Sequence, residues 1–241
     1  MGNNYLQEGG IEMTFPQYRD ESVIGVSDYY SNRRITQESL SVYSLLKRFI
    51  DIMGALIGLI LLSPLIAFIV ILIKYEDPTG SAFFYQTRVG KNERLFRMYK
   101  LRSMYSNAEE KLKDLLHQNE ISGAMFKMKD DPRVTKVGKF IRKMSIDELP
   151  QLFNVLRGDM SLVGPRPPLT REVAEYTSYD KKRLSVKPGC TGLWQVSGRN
   201  NLCFKEMVEL DISYIENRCI WFDIKILFRT VKTVVGSQDA F

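Results

Sequence analysis

Hydrophobic positions fall into one long block and several short periodic stretches. From residue 52 to residue 73 there are 22 consecutive residues without a charge. As a straight helix they would span about 33 Å, enough to cross the hydrocarbon core of a bilayer. Two features argue against a simple crossing. Ser63 and Pro64 sit near the middle, where proline removes a backbone hydrogen bond and a kink is expected. Cations flank both ends, Lys47 and Arg48 before and Lys74 after, which suits a segment that enters and leaves on the cytoplasmic side. The residues alone leave two readings open: a kinked crossing helix, or a helix–break–helix hairpin dipping into one leaflet. In the second, Ser63 helps to satisfy the carbonyls freed at the break.

The remaining patterns are shorter. Residues 82–86 (AFFYQ) and 95–101 (LFRMYKL) read as strands, with turn chemistry at residues 87–92, so a hairpin is predicted. Residues 107–120 predict a charged amphipathic helix carrying His117. Residues 135–144 (TKVGKFIRKM) predict a basic helix with Val137, Phe140, Ile141 and Met144 at helical spacing. Residues 149–156 continue helically, whereas residues 164–168 (GPRPP) cannot. Residues 203–217 predict a further helix. Residues 221–235 predict a cationic amphipathic helix whose Trp221 and Phe222 suit the headgroup level. Residues 1–42 are polar and weakly periodic, and read as a mobile segment.

Composition narrows the chemistry. With 44% hydrophobic residues and 26% charged, the chain of 241 residues is neither disordered nor collagen-like. Three cysteines, at positions 190, 203 and 219, cannot all pair, and a reduced compartment is expected. A single histidine leaves little material for a His-based zinc site or a Ser-His-Asp triad. The formal net charge is +6, but residues 1–40 carry −3, which leaves +9 on the rest. A basic body suggests phosphates, nucleic acid or an acidic membrane face. There is no Walker loop and no nucleic-acid recognition motif, so no nucleic-acid partner is expected.

Asp147 and Glu148 are the central chemical candidates. The bland explanation is that Ser145 and Glu148 form a capping box and the acids merely start a helix. The sharper one is that two carboxylates at a helix start, beside Arg142 and Lys143, stay ionised next to a phosphate site and act as nucleophile or metal ligand. Lys100 and Arg102 are two apart, on one side of a strand. Arg166, between two prolines, is a fixed guanidinium suited to bidentate phosphate binding. Residues 187–199 form a glycine-punctuated stretch able to approach a ligand closely.

Six ordered motifs then carry a resemblance: KRFIDIMGALIGLILLSP (47–64), FFYQTRVG (83–90), YKLRSM (99–104), DPRVTKVGKFIRKMSIDELPQLFNVLRGDMSLVGPRP (131–167), KPGCTGLWQVSGR (187–199) and ELDISYIENRCIWFDIKIL (209–227). Together they resemble the bacterial sugar transferases, the monotopic polyprenyl-phosphate phosphoglycosyl transferases, in a short form. The resemblance implies transfer of a hexose-1-phosphate from a UDP-sugar to undecaprenyl phosphate with release of UMP, the first membrane step of exopolysaccharide, capsule or O-antigen synthesis. It implies Asp147 as nucleophile forming an aspartyl–phosphosugar intermediate, and Mg²⁺ held by Glu148 and Asp147. It assigns phosphate and nucleotide recognition to Lys100, Arg102, Arg142, Arg166, Arg88 and Arg199, and a re-entrant break to Ser63 and Pro64.

The expected fold is α+β and mainly helical: a re-entrant membrane helix over residues 43–75, then a cytosolic catalytic domain over residues 76–241 with amphipathic interfacial helices and a short β-hairpin. The expected location is the cytoplasmic face of the bacterial inner membrane. A homodimer is left open by the sequence. The rival reading is a non-enzymatic membrane adaptor, in which the basic helices contact lipid and the acid pair is a cap.

Overall fold

The computed structural model describes residues 37–108, 110, 128, 131–198 and 202–236. Most of the expected helix over residues 107–120, with its His117, and nearly all of residues 1–42 lie outside them. The described part is mainly helical, with a two-stranded antiparallel hairpin and a short parallel pair. It begins with one long apolar helix, α1 (Gln37–Glu76). At about 1.5 Å per residue its 40 residues reach about 60 Å.

Helix α1 runs unbroken through Pro64, whereas the sequence predicted an interruption there. The local reason is a substituted hydrogen bond. Proline has no N–H for the carbonyl four residues back, which is Ile60. The Ser63 hydroxyl donates to that same carbonyl at 2.8 Å, so the orphan acceptor keeps a partner.

After α1 come β1 (Phe83–Val89) and β2 (Leu95–Leu101), paired antiparallel with Phe84 opposite Lys100 and Val89 opposite Leu95. The first strand runs three residues further than expected, and a tight turn closes the hairpin with Asn92 and Glu93 at positive φ. The second strand's outer edge is claimed by a side chain. Asn154, fully buried, accepts from the Tyr99 amide at 3.0 Å and donates to the Arg97 carbonyl at 2.7 Å, as a neighbouring strand would.

The remaining elements are α2 (Lys136–Lys143), α3 (Gln151–Arg157), β3 (Ser161–Val163), α4 (Thr170–Ala174), β4 (Gly189–Thr191), α5 (Phe204–Asn217) and α6 (Ile220–Gly236). β3 and β4 pair in parallel, which the sequence did not suggest.

Two ends of the apolar stretch are fastened to this one body. On the N-terminal side, Arg48 donates to the Val155 and Leu156 carbonyls that end α3, at 2.6 and 2.9 Å. Buried Asp51 accepts from the Ser161 hydroxyl and the Leu162 amide of β3. Gly54 lets the helix approach closely, since a Cβ there would lie 2.7 Å from Leu162 Cδ1. Asp223 of α6 accepts from Tyr43, Lys47 and Tyr214.

On the C-terminal side, Ile69 and Ile73 pack with Ala82, Leu101 and Ile141. Glu76 accepts from the Lys136 and Val137 amides that start α2, at 2.7 and 2.9 Å, a cap supplied from outside the helix. Between these anchors Ile60, Leu61 and Phe68 are more than half exposed.

The helix at α2 forms as predicted, but its apolar set is split. Ile141 is buried, whereas Phe140 and Met144 face outward. In α6, Phe222 and Ile226 face the core while Trp221, Phe228 and Val231 are exposed.

Candidate active site

The acid pair lies in the link between α2 and α3. Ser145 takes a left-handed conformation, φ 54°, unusual for a residue with a Cβ. A single 3₁₀ turn, Ile146–Glu148, follows. The Ser145 side chain caps nothing, so the capping box does not form. Asp147 and Glu148 turn instead to β2, where Lys100 Nζ donates to Glu148 Oε1 at 2.7 Å and stands 3.7 Å from Asp147 Oδ2. Asp147 is buried, with only 7% of its surface exposed.

Burial sets the two carboxylates apart. It pushes Asp147 up to about 6, with Glu148 adding to the rise and Lys100 and Arg142 opposing it. The expectation that flanking cations alone fix its state was incomplete, because desolvation outweighs them. For Glu148 burial also acts upward, but the Lys100 contact, then Arg166 and Arg88, more than offset it and hold the carboxyl below its ordinary value. The two carboxyls are thus displaced in opposite directions, an arrangement found where carboxylates are given different tasks.

Three of the predicted arginines converge on this pair. Arg142 donates from Nε to the Ser103 hydroxyl at 2.8 Å and acts electrostatically on Asp147. Buried Arg88 donates to the Pro167 carbonyl at 3.0 Å and to Gln86 at 2.7 Å. Its Nε is buried without a partner. Arg166, exposed between buried Pro165 and Pro167, lies 5.9 Å from the Trp194 ring centroid. Both Arg88 and Arg166 act on Glu148.

Arg102 does not join them. β2 ends at Leu101, so the alternation that would have placed Arg102 beside Lys100 stops one residue short. Its guanidinium is buried against Asp77, at 3.0 Å to Oδ2 and with a further bond to the Asp77 carbonyl. Arg199 lies outside the described residues.

Hard oxygen donors such as this pair suit a divalent cation that also takes substrate phosphates as ligands. Among the described residues, no group of three or more Asp, Glu, Cys or His side chains is placed to hold a metal. What stands between the two carboxylates is a cation of the protein's own, the Lys100 ammonium. The two carboxylates would hold a divalent cation there only with further oxygen ligands, of the kind substrate phosphates carry.

The sequence reading missed several supporting residues. The buried Arg183–Asp211 pair, in which Asp211 is raised to about 6 by burial, sits within electrostatic reach of Arg166. Nothing in the spacing of residues 183 and 211 announced it. Lys47, Arg48 and Asp51 did carry a signal: their spacing puts polar groups on one helix face ahead of the apolar block. The three cysteines are free thiols.

The chain is 56% identical over 195 residues to "Galactosyl transferase CpsE" of Streptococcus agalactiae, covering 80% of this chain and 43% of the relative. It is 48% identical over 200 residues to "Undecaprenyl-phosphate galactose phosphotransferase" of Salmonella typhimurium, covering 81% and 42%. It thus spans less than half the length of these two. Against "Exopolysaccharide production protein ExoY" of Sinorhizobium fredii it is 40% identical over 199 residues, covering 81% of this chain and 88% of the relative. The family model described as "Bacterial sugar transferase" matches residues 42–237, a span that contains the acid pair, its cations and the anchored apolar helix. The chain belongs to the bacterial sugar transferase family.

Proposed function

We propose that this protein transfers a hexose-1-phosphate from a UDP-sugar to undecaprenyl phosphate and releases UMP. The observation that carries the reading is the buried Asp147 beside Glu148, faced by Lys100, Arg142, Arg88 and Arg166. An ionised Asp147 oxygen attacks the β-phosphorus of the UDP-sugar. The bond from that phosphorus to the bridging oxygen breaks, and UMP leaves with the oxygen. An oxygen of the lipid phosphate then attacks the aspartyl phosphosugar, returning Asp147 as a carboxylate and giving the lipid diphosphate sugar. The arginines neutralise charge on the transferring group. Mg²⁺ at Glu148 and Asp147 would supply further charge neutralisation on the phosphate oxygens.

Galactose is the first candidate sugar, because the names of two relatives at 56% and 48% identity specify galactosyl or galactose transfer. Glucose comes second, from a relative at 40% identity named "Undecaprenyl-phosphate glucose phosphotransferase". The step would begin a surface polysaccharide: exopolysaccharide, capsule or O-antigen. The test is UMP release across a panel of UDP-sugars with undecaprenyl phosphate, with and without EDTA. UMP release that needs the metal, with a phosphosugar adduct on Asp147 seen by mass spectrometry, is expected. No release with any sugar from folded protein refutes the reading.

The apolar stretch is best accounted for as re-entrant, entering and leaving at the cytoplasmic leaflet of the inner membrane. Arg48 and Asp51 before it, Ile73 at its last position and Glu76 after it are fastened to one and the same domain. A single domain cannot hold both ends of a segment from opposite sides of a bilayer. The exposed Trp221, Phe228 and Phe140 would lie at the lipid surface. Single cysteines at Leu45 and Tyr75, in a chain whose own cysteines are replaced, should both be shielded from an impermeant maleimide applied outside. Labelling of one alone would mean a crossing helix.

A further inference from the structure

A lysine expected to bind substrate phosphate stands instead between two carboxylates. Its backbone is fixed in β2 opposite Phe84, and its ammonium lies 2.7 Å from Glu148 Oε1 and 3.7 Å from Asp147 Oδ2. The same two acids are the residues that would hold a divalent cation. The surroundings disfavour a free divalent ion. Two carboxylates face the cations Lys100, Arg142, Arg88 and Arg166, and among the described residues no third acid completes a ligand group. An incoming divalent ion would meet a net positive cluster and repel the ammonium already seated there. A nucleoside diphosphate reverses the balance, because its charges engage the arginines and its oxygens supply the missing ligands.

We propose that Lys100 is a built-in stand-in for the divalent cation, holding Asp147 and Glu148 in position until a metal bound to nucleoside diphosphate displaces it. Metal binding is therefore conditional on nucleotide, and Lys100 is a positioning residue in the empty enzyme. On displacement the ammonium is released from the carboxylates and becomes available to phosphate. This rests on the part of the proposed function that makes the acid pair the site where a nucleoside diphosphate binds.

Mn²⁺ is the probe, titrated into the full chain in detergent micelles and read as free ion by electron paramagnetic resonance, with the Mn²⁺ held by UDP alone subtracted from a protein-free titration, so no turnover is needed. Wild-type protein should bind Mn²⁺ weakly alone and about tenfold or more tightly with saturating UDP. Lys100→Met should bind Mn²⁺ without UDP about tenfold more tightly than wild type, whereas Lys100→Arg, which keeps the charge, should not. Glu148→Gln should abolish the gain in the Lys100→Met background. A gain in affinity is not what a merely structural lysine would give.

Equal wild-type affinity with and without UDP overturns the proposal, as does a folded Lys100→Met that binds no better than wild type. Should Lys100→Met fail to fold, the wild-type comparison decides alone. UDP-dependent Mn²⁺ binding without UMP release from any sugar would support the exchange and refute the transferase reading. Normal UMP release with Mn²⁺ binding indifferent to UDP and to Lys100 would refute the exchange alone.

Discussion

Replacing Asp147 by Asn should abolish turnover and at the same time make the protein more stable. Burial raises the Asp147 carboxyl from 3.8 to about 6, so its ionised form is disfavoured in the folded chain relative to the unfolded one. A shift of about 2 units at 1.36 kcal/mol each amounts to about 3 kcal/mol. The sign follows from proton binding. Between pH 3.8 and about 6 the folded state holds the proton more tightly, so wild-type stability falls as pH rises through that window, and the whole penalty is present above it. Asn has nearly the same shape and carries no charge. Lys100 keeps its closer partner, Glu148, at 2.7 Å.

The variant should therefore exceed wild type by up to about 3 kcal/mol at pH 8, a rise of roughly 6–12 °C in Tm for a domain of this size. The difference should shrink below pH 6 and vanish near pH 4. The assay is thermal melting in detergent and metal-free buffer across that range, beside UMP release. A variant that melts at or below wild type at pH 8, or by a margin unchanged with pH, refutes the reasoning.

Other expectations follow from the same geometry. With Asp147 as nucleophile, kcat/KM for the UDP-sugar should fall about tenfold per pH unit below about pH 6 as the carboxyl protonates; a flat profile from pH 5 to pH 8 excludes it. Arg102→Met should cost about 3 kcal/mol of stability, because it leaves Asp77 buried without its ion-pair partner. Its kcat at a permissive temperature should stay near wild type, and a selective rise in KM for the UDP-sugar would instead place Arg102 on substrate. Asp223→Ala removes the acceptor shared by Tyr43, Lys47 and Tyr214 and should cost about 3 kcal/mol by melting. A loss below about 1 kcal/mol would mean that this contact does not fasten α1.

What the sequence disclosed and what it withheld divide along a physical line. The hairpin was readable because alternation and turn residues are local signals, and the two strands pair across only a few residues. The apolar helix was readable from hydropathy alone. The parallel pair of β3 and β4 was not, since three-residue strands carry no period and their partners lie more than twenty residues apart. Arg102 was assigned by strand alternation, yet its partner, Asp77, is the residue that follows α1. The acid pair and its cations were found from residue type and motif. That Asp147 is raised was hidden, because neighbouring charges are written in sequence and burial is not. The Asn154 side chain that completes the edge of β2 belongs to the same hidden class.

The double attachment of α1 turns the apolar stretch into a spacer of fixed length. Ala55 seats on Val155 and Met160, and Ile73 seats on Leu101 and Ile141. These two positions are 18 residues apart, five turns at 3.6 residues each, so they share one azimuth on the helix. Adding or deleting a single residue between them rotates one seat by about 100° away from the other. A change of about 7 residues nearly restores the phase but shifts one seat by about 10 Å along the axis. The segment between the seats can therefore drift in composition wherever its side chains meet only lipid, while its length is held by the body that both seats belong to.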